Sequence, residues 1–386
     1  MASLSGSVFT VLQREGSARR GALRTAHGLV QTPAFMPVGT HATVKACHPD
    51  EVAATGAEMI LGNFYHLSLR PGLDLIAKMG GLHSFMSWPG SILTDSGGYQ
   101  MVSLSRLLEF DDEGVTFRSP YDGGKVRMTP ESVIAGQVRI GVDVAMALDH
   151  PSAFGAAEEQ IRDATRRTHL WAARCREVAS GPTLVFGIVQ GGFEPALRRA
   201  SAATVARMGF DGLAIGGLVL GEPAPIRHAA IEACVDAVPE GLPRYLMGLG
   251  SDVELLDAVT QGIDMFDCVL PTRLARTGTA MTRHGRLVLR RSVFRDDDRP
   301  LEVGCDCPAC ARFSRAYLRH LYQSGEILGH RMVSLHNLHH LGRLMAEVRV
   351  ALETGAFPEV VARRRADLAV GGAVASGSAG HIPPEP

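Results

Sequence analysis

Eight short stretches of the chain are apolar almost without interruption: Thr32 to Gly39, Glu58 to Asn63, Ser91 to Ser96, Val142 to Asp149, Thr183 to Gln190, Gly212 to Gly217, Arg244 to Gly248 and Ile263 to Val269. A strand with one wet face alternates apolar and polar residues, whereas a parallel strand covered on both faces reads as a continuous apolar run. These stretches therefore predict buried parallel strands. Helical signals fall between them. Glu158 to Ala179 carries apolar and charged residues at helical spacing, Thr129-Pro130-Glu131 offers an N-cap followed by proline, and Ser251 with Glu254 has the spacing of a capping box. Strand and helix alternating in this way predict an α/β protein, a (β/α)8 TIM barrel, with a doubly wound open sheet as the second choice.

Polar residues gather at the C-terminal ends of the predicted strands. Asn63, Asp95, Asp149, Gln190, Gly217, Met247 and Asp267 all lie at or close to such an end, the rim on which barrel enzymes build their sites. A single strand-end aspartate usually caps a helix or makes a turn. Three aspartates, a glutamine and glycine turns on one rim instead suggest a pocket for a polar heterocycle or a sugar. Thr94-Asp95-Ser96-Gly97-Gly98-Tyr99-Gln100 sets a carboxylate beside two glycines, whose bare backbone can approach a ligand, and beside an aromatic ring able to stack on a base. Asp267 stands in an otherwise apolar strand end, where burying a carboxylate without a partner is costly.

Composition narrows the class. The 386 residues, 46% hydrophobic and 20% charged, suit one large domain or two ordinary ones and exclude disorder over most of the length. No apolar run approaches the ~18 residues that span a bilayer, and Met1 to Gly16 lacks the features of a secretory signal, so the expected location is cytoplasmic with no membrane partner. Net charge is only −1, yet seven arginines and no acid lie between Arg273 and Arg295, a run that suits a polyanion or a solvated face. Three of the seven cysteines crowd into Cys305-x-Cys307-x-x-Cys310. With His336 downstream, and His339 and His340 close by, they supply the ligands of a closed, structural tetrahedral zinc site, one Zn2+ per chain. The expected organisation is a barrel over 1–368, with a zinc-binding subdomain at about 296–340 and a disordered tail at 369–386 rich in Gly, Ala, Ser and Pro.

Five signatures in order resemble the bacterial-type tRNA-guanine transglycosylases, also called queuine tRNA-ribosyltransferases. They are Thr32-Pro-Ala-Phe-Met-Pro-Val-Gly39, Leu61-Gly-Asn-Phe-Tyr-His-Leu67, Leu93-Thr-Asp-Ser-Gly-Gly-Tyr-Gln100, the Asp267 strand and the Cys-x-Cys-x-x-Cys cluster. The resemblance runs from Thr32 to about Arg365 and implies a (β/α)8 barrel with a late zinc-binding insertion. It also implies base exchange at the anticodon wobble position of tRNA, in which guanine is replaced by a 7-deazaguanine. By the same resemblance Asp267 would be the nucleophile and Asp95 would move the base's proton. Asp149 and Gln190 would read the base edge, Gly217 and Leu218 would offer backbone, and Tyr99 and Met247 would sandwich the ring, with Asn63, Ser96, Gly97 and Gly98 completing the pocket. RNA contacts would come from Gly248, Leu249, Gly250, Ser251, Asp252, Val253 and Glu254, and from Thr272, Arg273, Leu274, Ala275 and Arg276. The expected assembly is a homodimer.

The chain departs from the family pattern at His150-Pro151, where Glu-Cys is usual, and at Val219, where alanine is common, while Glu222 is retained. Both departures are expected near the substituent of the incoming base. 7-Aminomethyl-7-deazaguanine is the first choice for that base and queuine the alternative. Two other classes remain: a barrel glycoside hydrolase, whose sugar rim would need tryptophans where the chain has only Trp88 and Trp171, and a non-catalytic RNA-binding paralogue.

Overall fold

A computed structural model describes residues 7–100 and 108–375. Two compact units divide the chain, residues 1–270 and residues from 271 onward. The boundary at about 296 expected for a zinc-binding subdomain thus falls inside the second unit.

Each of the eight apolar runs contributes one parallel strand of the first unit: β1 (Ala34–Pro37), β2 (Met59–Asn63), β3 (Ser91–Asp95), β4 (Val144–Met146), β5 (Leu184–Val189), β6 (Gly212–Ile215), β7 (Arg244–Leu246) and β8 (Met265–Cys268). They form one sheet in the order β1-β8-β7-β6-β5-β4-β3-β2. A parallel bridge from Val38 to Leu61, with Gly39 N–H donating to the Leu61 carbonyl at 2.7 Å, joins β1 to β2. The sheet therefore closes, which excludes the open doubly wound alternative. Alternate residues turn inward as the two-residue period of a strand requires. Met59 and Leu61, Val144 and Met146, and Phe186 and Ile188 fill the barrel in pairs. The other face of each strand meets the helices, which accounts for the continuous apolar runs.

Ahead of the barrel lies an antiparallel sheet that the apolar pattern does not announce, built from Phe9–Glu15, Ala18–Thr25 and Gly28–Thr32. Its Phe9, Leu23 and Val30 join the barrel's core cluster. On the N-terminal side of the strands, buried Arg19 forks onto Asp264, just ahead of β8; its Nε donates to Oδ1 at 3.0 Å and its Nη2 forms a second bond to Oδ2. Another antiparallel sheet, Leu108–Asp111, Gly114–Arg118 and Lys125–Met128, lies between β3 and β4 in the chain.

Helix starts follow their signals in part. Thr129 caps Pro130–Arg139 reciprocally with Ser132. At Asp252–Thr260 the expected capping box is absent, because Ser251 Oγ bonds the Glu254 carboxylate rather than a backbone amide. In the second unit, a hairpin of Thr279–Thr282 and Gly285–Val288 precedes the helices Arg315–Gln323, Ile327–Thr354 and Phe357–Ala375. The last helix continues beyond residue 369, where the tail was expected to begin, and residues 376–386 of that tail lie outside the described residues. No helix among the described residues is long and apolar enough to cross a membrane.

Candidate active site

The closed sheet brings the strand-end carboxylates onto one rim. Asp95, the last residue of β3, is buried and accepts a hydrogen bond from Asn63 Nδ2 at 3.1 Å. Asn63 ends β2 and its Oδ1 also accepts from His66 N–H at 3.2 Å, so one amide caps a helix and holds a carboxylate. Burial, then the negative charges of Asp149 and Asp267, push the Asp95 carboxyl up to about 7, against the backbone N–H groups of Gly97 and Ser96. Asp149 follows β4 and is buried; desolvation pushes it up to about 6, although Gln190 Nε2 donates to its Oδ2 at 2.7 Å. Asp267 in β8 sits half-open at the mouth, with Oδ1 accepting from Tyr245 O–H at 2.5 Å and from Gly248 N–H at 2.9 Å. Desolvation raises its carboxyl, and those two bonds work the other way.

Glycine is required where the loops approach these groups. A Cβ on Gly98 would stand 2.3 Å from Asp149 Oδ1, and one on Gly97 2.2 Å from Tyr65 Cβ. Gly217, with φ +67°, lies so close to Gln190 that a Cβ would come within 2.3 Å of Oε1. That Oε1 and the Ser96 hydroxyl are buried without a hydrogen-bond partner. Buried polar atoms are normally satisfied, so these two stand out on the rim. Tyr99 is 53% exposed and Met247 half-buried, both open at the mouth, whereas Leu218 is buried and has only backbone to offer.

Two supporting residues escape a reading of the sequence. Tyr245 lies in β7 as an apparently ordinary core aromatic, yet its hydroxyl is the direct partner of Asp267. Arg198, on the helix Pro195–Ala206, is fully buried and donates to the carbonyls of Gly192 (2.7 Å), Val189 (3.1 Å), Gly216 (2.7 Å) and Gly217 (3.3 Å). One guanidinium fork thus ties the chain on both sides of Gln190 to the Gly217 turn. An arginine in a helix reads as a solvated charge, and only the carbonyl cluster shows otherwise.

The departures at 150 and 219 fare differently. The His150 ring stacks on Phe110 with centroids 3.7 Å apart, and its Nδ1 meets Arg167 Nη1 at 3.0 Å. Burial, then Arg167, push this imidazole down to about 4, so it accepts from the guanidinium as a neutral ring. Its ring is thus packed between Phe110 and Arg167. Val219 follows Leu218 with φ +62°, a conformation strained for a β-branched residue. Both oxygens of Glu222 hold it there, accepting from Val219 N–H at 2.8 Å and Leu220 N–H at 2.7 Å.

A family model described as queuine tRNA-ribosyltransferase matches residues 14–369. The chain belongs to this family. It is 50% identical over 357 residues to the queuine tRNA-ribosyltransferase of Moorella thermoacetica, covering 92% of this chain and 96% of that protein. The queuine tRNA-ribosyltransferase of Thiobacillus denitrificans is 49% identical over 364 residues, 94% of this chain and 99% of the relative. The two tryptophans, meanwhile, are buried, with exposures of 3% (Trp88) and 0% (Trp171), so neither offers the stacking platform a glycoside hydrolase of this class would need.

Of the residues expected to touch RNA, Gly248 is exposed, and Ser251, Val253 and Glu254 are half-buried in the first unit. Leu249, Gly250 and Asp252 are buried. In the second unit Arg273 and Arg276 are half-buried, while Thr272, Leu274 and Ala275 are buried. Arg315 is taken up by Asp297 and the carbonyls of Pro300 and Leu301. Also in the second unit, Cys305, Cys307, Cys310 and His336 bring four ligand atoms within 4.8 Å of one another and could hold a metal ion. Hydrogen bonds from Cys307 and Cys310 drive the Cys305 thiol far below its ordinary value.

Proposed function

We propose that the chain exchanges guanine at the wobble position of tRNA for a 7-deazaguanine, with Asp267 as nucleophile and Asp95 as proton carrier. The observation that carries this reading is the pairing of a half-open carboxylate held by two donors, Asp267, with a buried carboxyl poised near neutrality, Asp95. A target base inside a folded loop must be splayed out before its glycosidic bond is reachable. The Asp267 carboxylate then attacks C1′ of the ribose; the C1′–N9 bond breaks, its electron pair leaves with guanine, and protonated Asp95 supplies a proton to that base. The incoming base gives up its N9 proton to Asp95 and attacks C1′, returning the electron pair to Asp267. Two inversions retain configuration, as in a retaining glycosidase. A carboxyl near 7 is available in both forms at working pH, which suits both proton transfers.

Asp149 and Gln190 read the guanine-like edge in this scheme, and the unpartnered Gln190 Oε1 and Ser96 hydroxyl gain partners when the base arrives. Tyr99 and Met247 cover its faces. The incoming base is 7-aminomethyl-7-deazaguanine, with queuine as the competing substrate. RNA docks on the exposed parts of 248–254 and on Arg273 and Arg276. The setting is the cytoplasm, and a second copy of the chain helps to orient a tRNA larger than the barrel's mouth.

The metal is zinc. A tetrahedral ion with bonds of about 2.3 Å to sulfur and about 2.0 Å to nitrogen separates those atoms by about 3.5 Å. The three thiols lie 3.7, 3.4 and 3.4 Å from His336 Nδ1. His336 Nε2 meets the Met281 carbonyl at 2.8 Å, the outer bond that orients a ligating imidazole. Held by Cys305, Cys307, Cys310 and His336, the ion would have no open position, so it would supply structure and take no part in base exchange.

Incubation with unmodified tRNA, labelled guanine and candidate deazaguanines tests the reading directly. Label should enter the tRNA with the wild-type chain, and Asp267→Asn should bind tRNA while forming no covalent complex. A normal covalent complex in that variant overturns the assignment of the nucleophile.

A further inference from the structure

The loop that follows β6 and the segment that follows β7 are joined by a charged chain that the reaction scheme does not use. Glu222 closes the first loop on the amides of Val219 and Leu220, and its side chain is fully buried. Arg227, 7% exposed in the helix Ala224–Val235, reaches Glu222 Oε1 with Nη1 at 3.3 Å. With Nη2 it reaches Glu254 Oε1 at 2.5 Å. The other oxygen of Glu254 is held by Ser251 Oγ. A continuous path therefore runs from the strained Val219 backbone through Glu222, Arg227 and Glu254 to Ser251.

We infer that Arg227 is a positioning residue that couples RNA docking at Ser251 and Glu254 to the shape of the Val219 loop, and so to the choice among 7-substituted bases. This rests on the proposed function, in which those segments meet the RNA and the incoming base. Three physical points support it. A guanidinium is a rigid planar fork, so a displacement of one carboxylate is felt by the other. Bonds in a buried charged network are worth more than the same bonds in water, and removing one member changes the rest. Val219 sits at a φ its side chain disfavours, so its conformation depends on the hold of Glu222. Glu254, 35% exposed, is the end of the chain that RNA can reach.

The test is a double-mutant cycle in the full-length chain with unmodified tRNA. Arg227→Met and Glu254→Gln are made singly and together, with Arg227→Lys as a second variant that keeps the charge but loses the fork. Thermal melting identifies the variants that fold, and Arg227→Lys replaces Arg227→Met if the latter does not. The incoming base is the aminomethyl-deazaguanine, and for each variant its KM in turnover is compared with its Kd for the enzyme without RNA. Coupling predicts that Glu254→Gln raises the KM several-fold in the wild-type background, leaves the RNA-free Kd unchanged, and has no further effect once Arg227 is replaced. Additive effects, or equal changes in KM and RNA-free Kd, overturn the inference. Guanine exchange by the wild-type chain is measured alongside; its absence overturns the proposed function, whereas its presence with additive effects overturns only the coupling.

Discussion

Replacing Tyr245 by phenylalanine removes one of the two donors on Asp267 Oδ1 and leaves only Gly248 N–H, at 2.9 Å. The ring is fully buried in β7 and keeps its packing, so the change isolates the hydroxyl. In the free enzyme that hydroxyl donates to a carboxylate. In the proposed covalent intermediate the same oxygen set belongs to a neutral ester. A bond to a charged acceptor is worth about 1.5–3 kcal/mol and one to a neutral acceptor about 0.5–1.5 kcal/mol. Their difference, about 1–1.5 kcal/mol, shifts the equilibrium toward the ester roughly five- to thirteenfold when the hydroxyl is lost. Resolution of the covalent complex by free guanine should need correspondingly more guanine. The assay is a denaturing gel of the protein–RNA complex against guanine concentration. An unchanged or lower guanine requirement in a folded Tyr245→Phe variant refutes the role given to this hydrogen bond.

Three further outcomes are expected. Asp95→Asn should slow both half-reactions by about 10²–10⁴. Because the Asp95 carboxyl is pushed up to about 7, the folded state holds its proton more tightly than the unfolded chain, and wild-type stability from this group falls as pH rises toward 7. The non-ionising amide should therefore gain in Tm over wild type at pH 8 and lose that gain at pH 5; an equal difference at both values contradicts a buried charge at Asp95. Gly98→Ala should cripple base binding, since its Cβ would stand 2.3 Å from Asp149 Oδ1, and wild-type KM for the base would refute the close approach. Elemental analysis should find one zinc per chain, and Cys307→Ser should lose it and expose the second unit to proteolysis; a metal-free wild-type protein rejects the site.

The barrel was legible because its parallel strands bury both faces, and few architectures besides a covered parallel sheet call for eight uninterrupted apolar runs. Polar residues at the C-terminal ends of those runs marked the rim, because they break a largely apolar pattern at the end where barrel sites are built. The supporting layer was hidden. Tyr245 is indistinguishable in sequence from a packing aromatic, and Arg198 from a surface arginine, because their partners lie 22 residues and up to 19 residues away, across neighbouring strands. The N-terminal antiparallel sheet went unread because its strands mix arginines with apolar residues, among them Arg19, whose charge is answered by an acid 245 residues later. The packing of His150 was hidden for a related reason. Its neighbour Asp149 faces Gln190, but its own partners Phe110 and Arg167 come from elements whose contacts periodicity does not reveal.

The link between Arg19 and Asp264 bears on how the molecule is made. Translation delivers Arg19 among the first residues and Asp264 among the last of its unit, together with β8 and the carboxylate it carries. Until then Arg19 has no counterion, and β1 lacks the neighbour that completes the ring, because β8 pairs with it from Met265–Ala34 to Cys268–Pro37. Contacts between such distant points carry the largest loop-closure cost and form late. A nascent chain that stops short of β8 is thus a barrel with a missing stave and an unmatched buried cation, and removing one partner of such a pair costs about 3–5 kcal/mol. The ribosome's unfinished products are in this way barred from the chemistry: the strand that completes the wall is also the one that bears the proposed nucleophile.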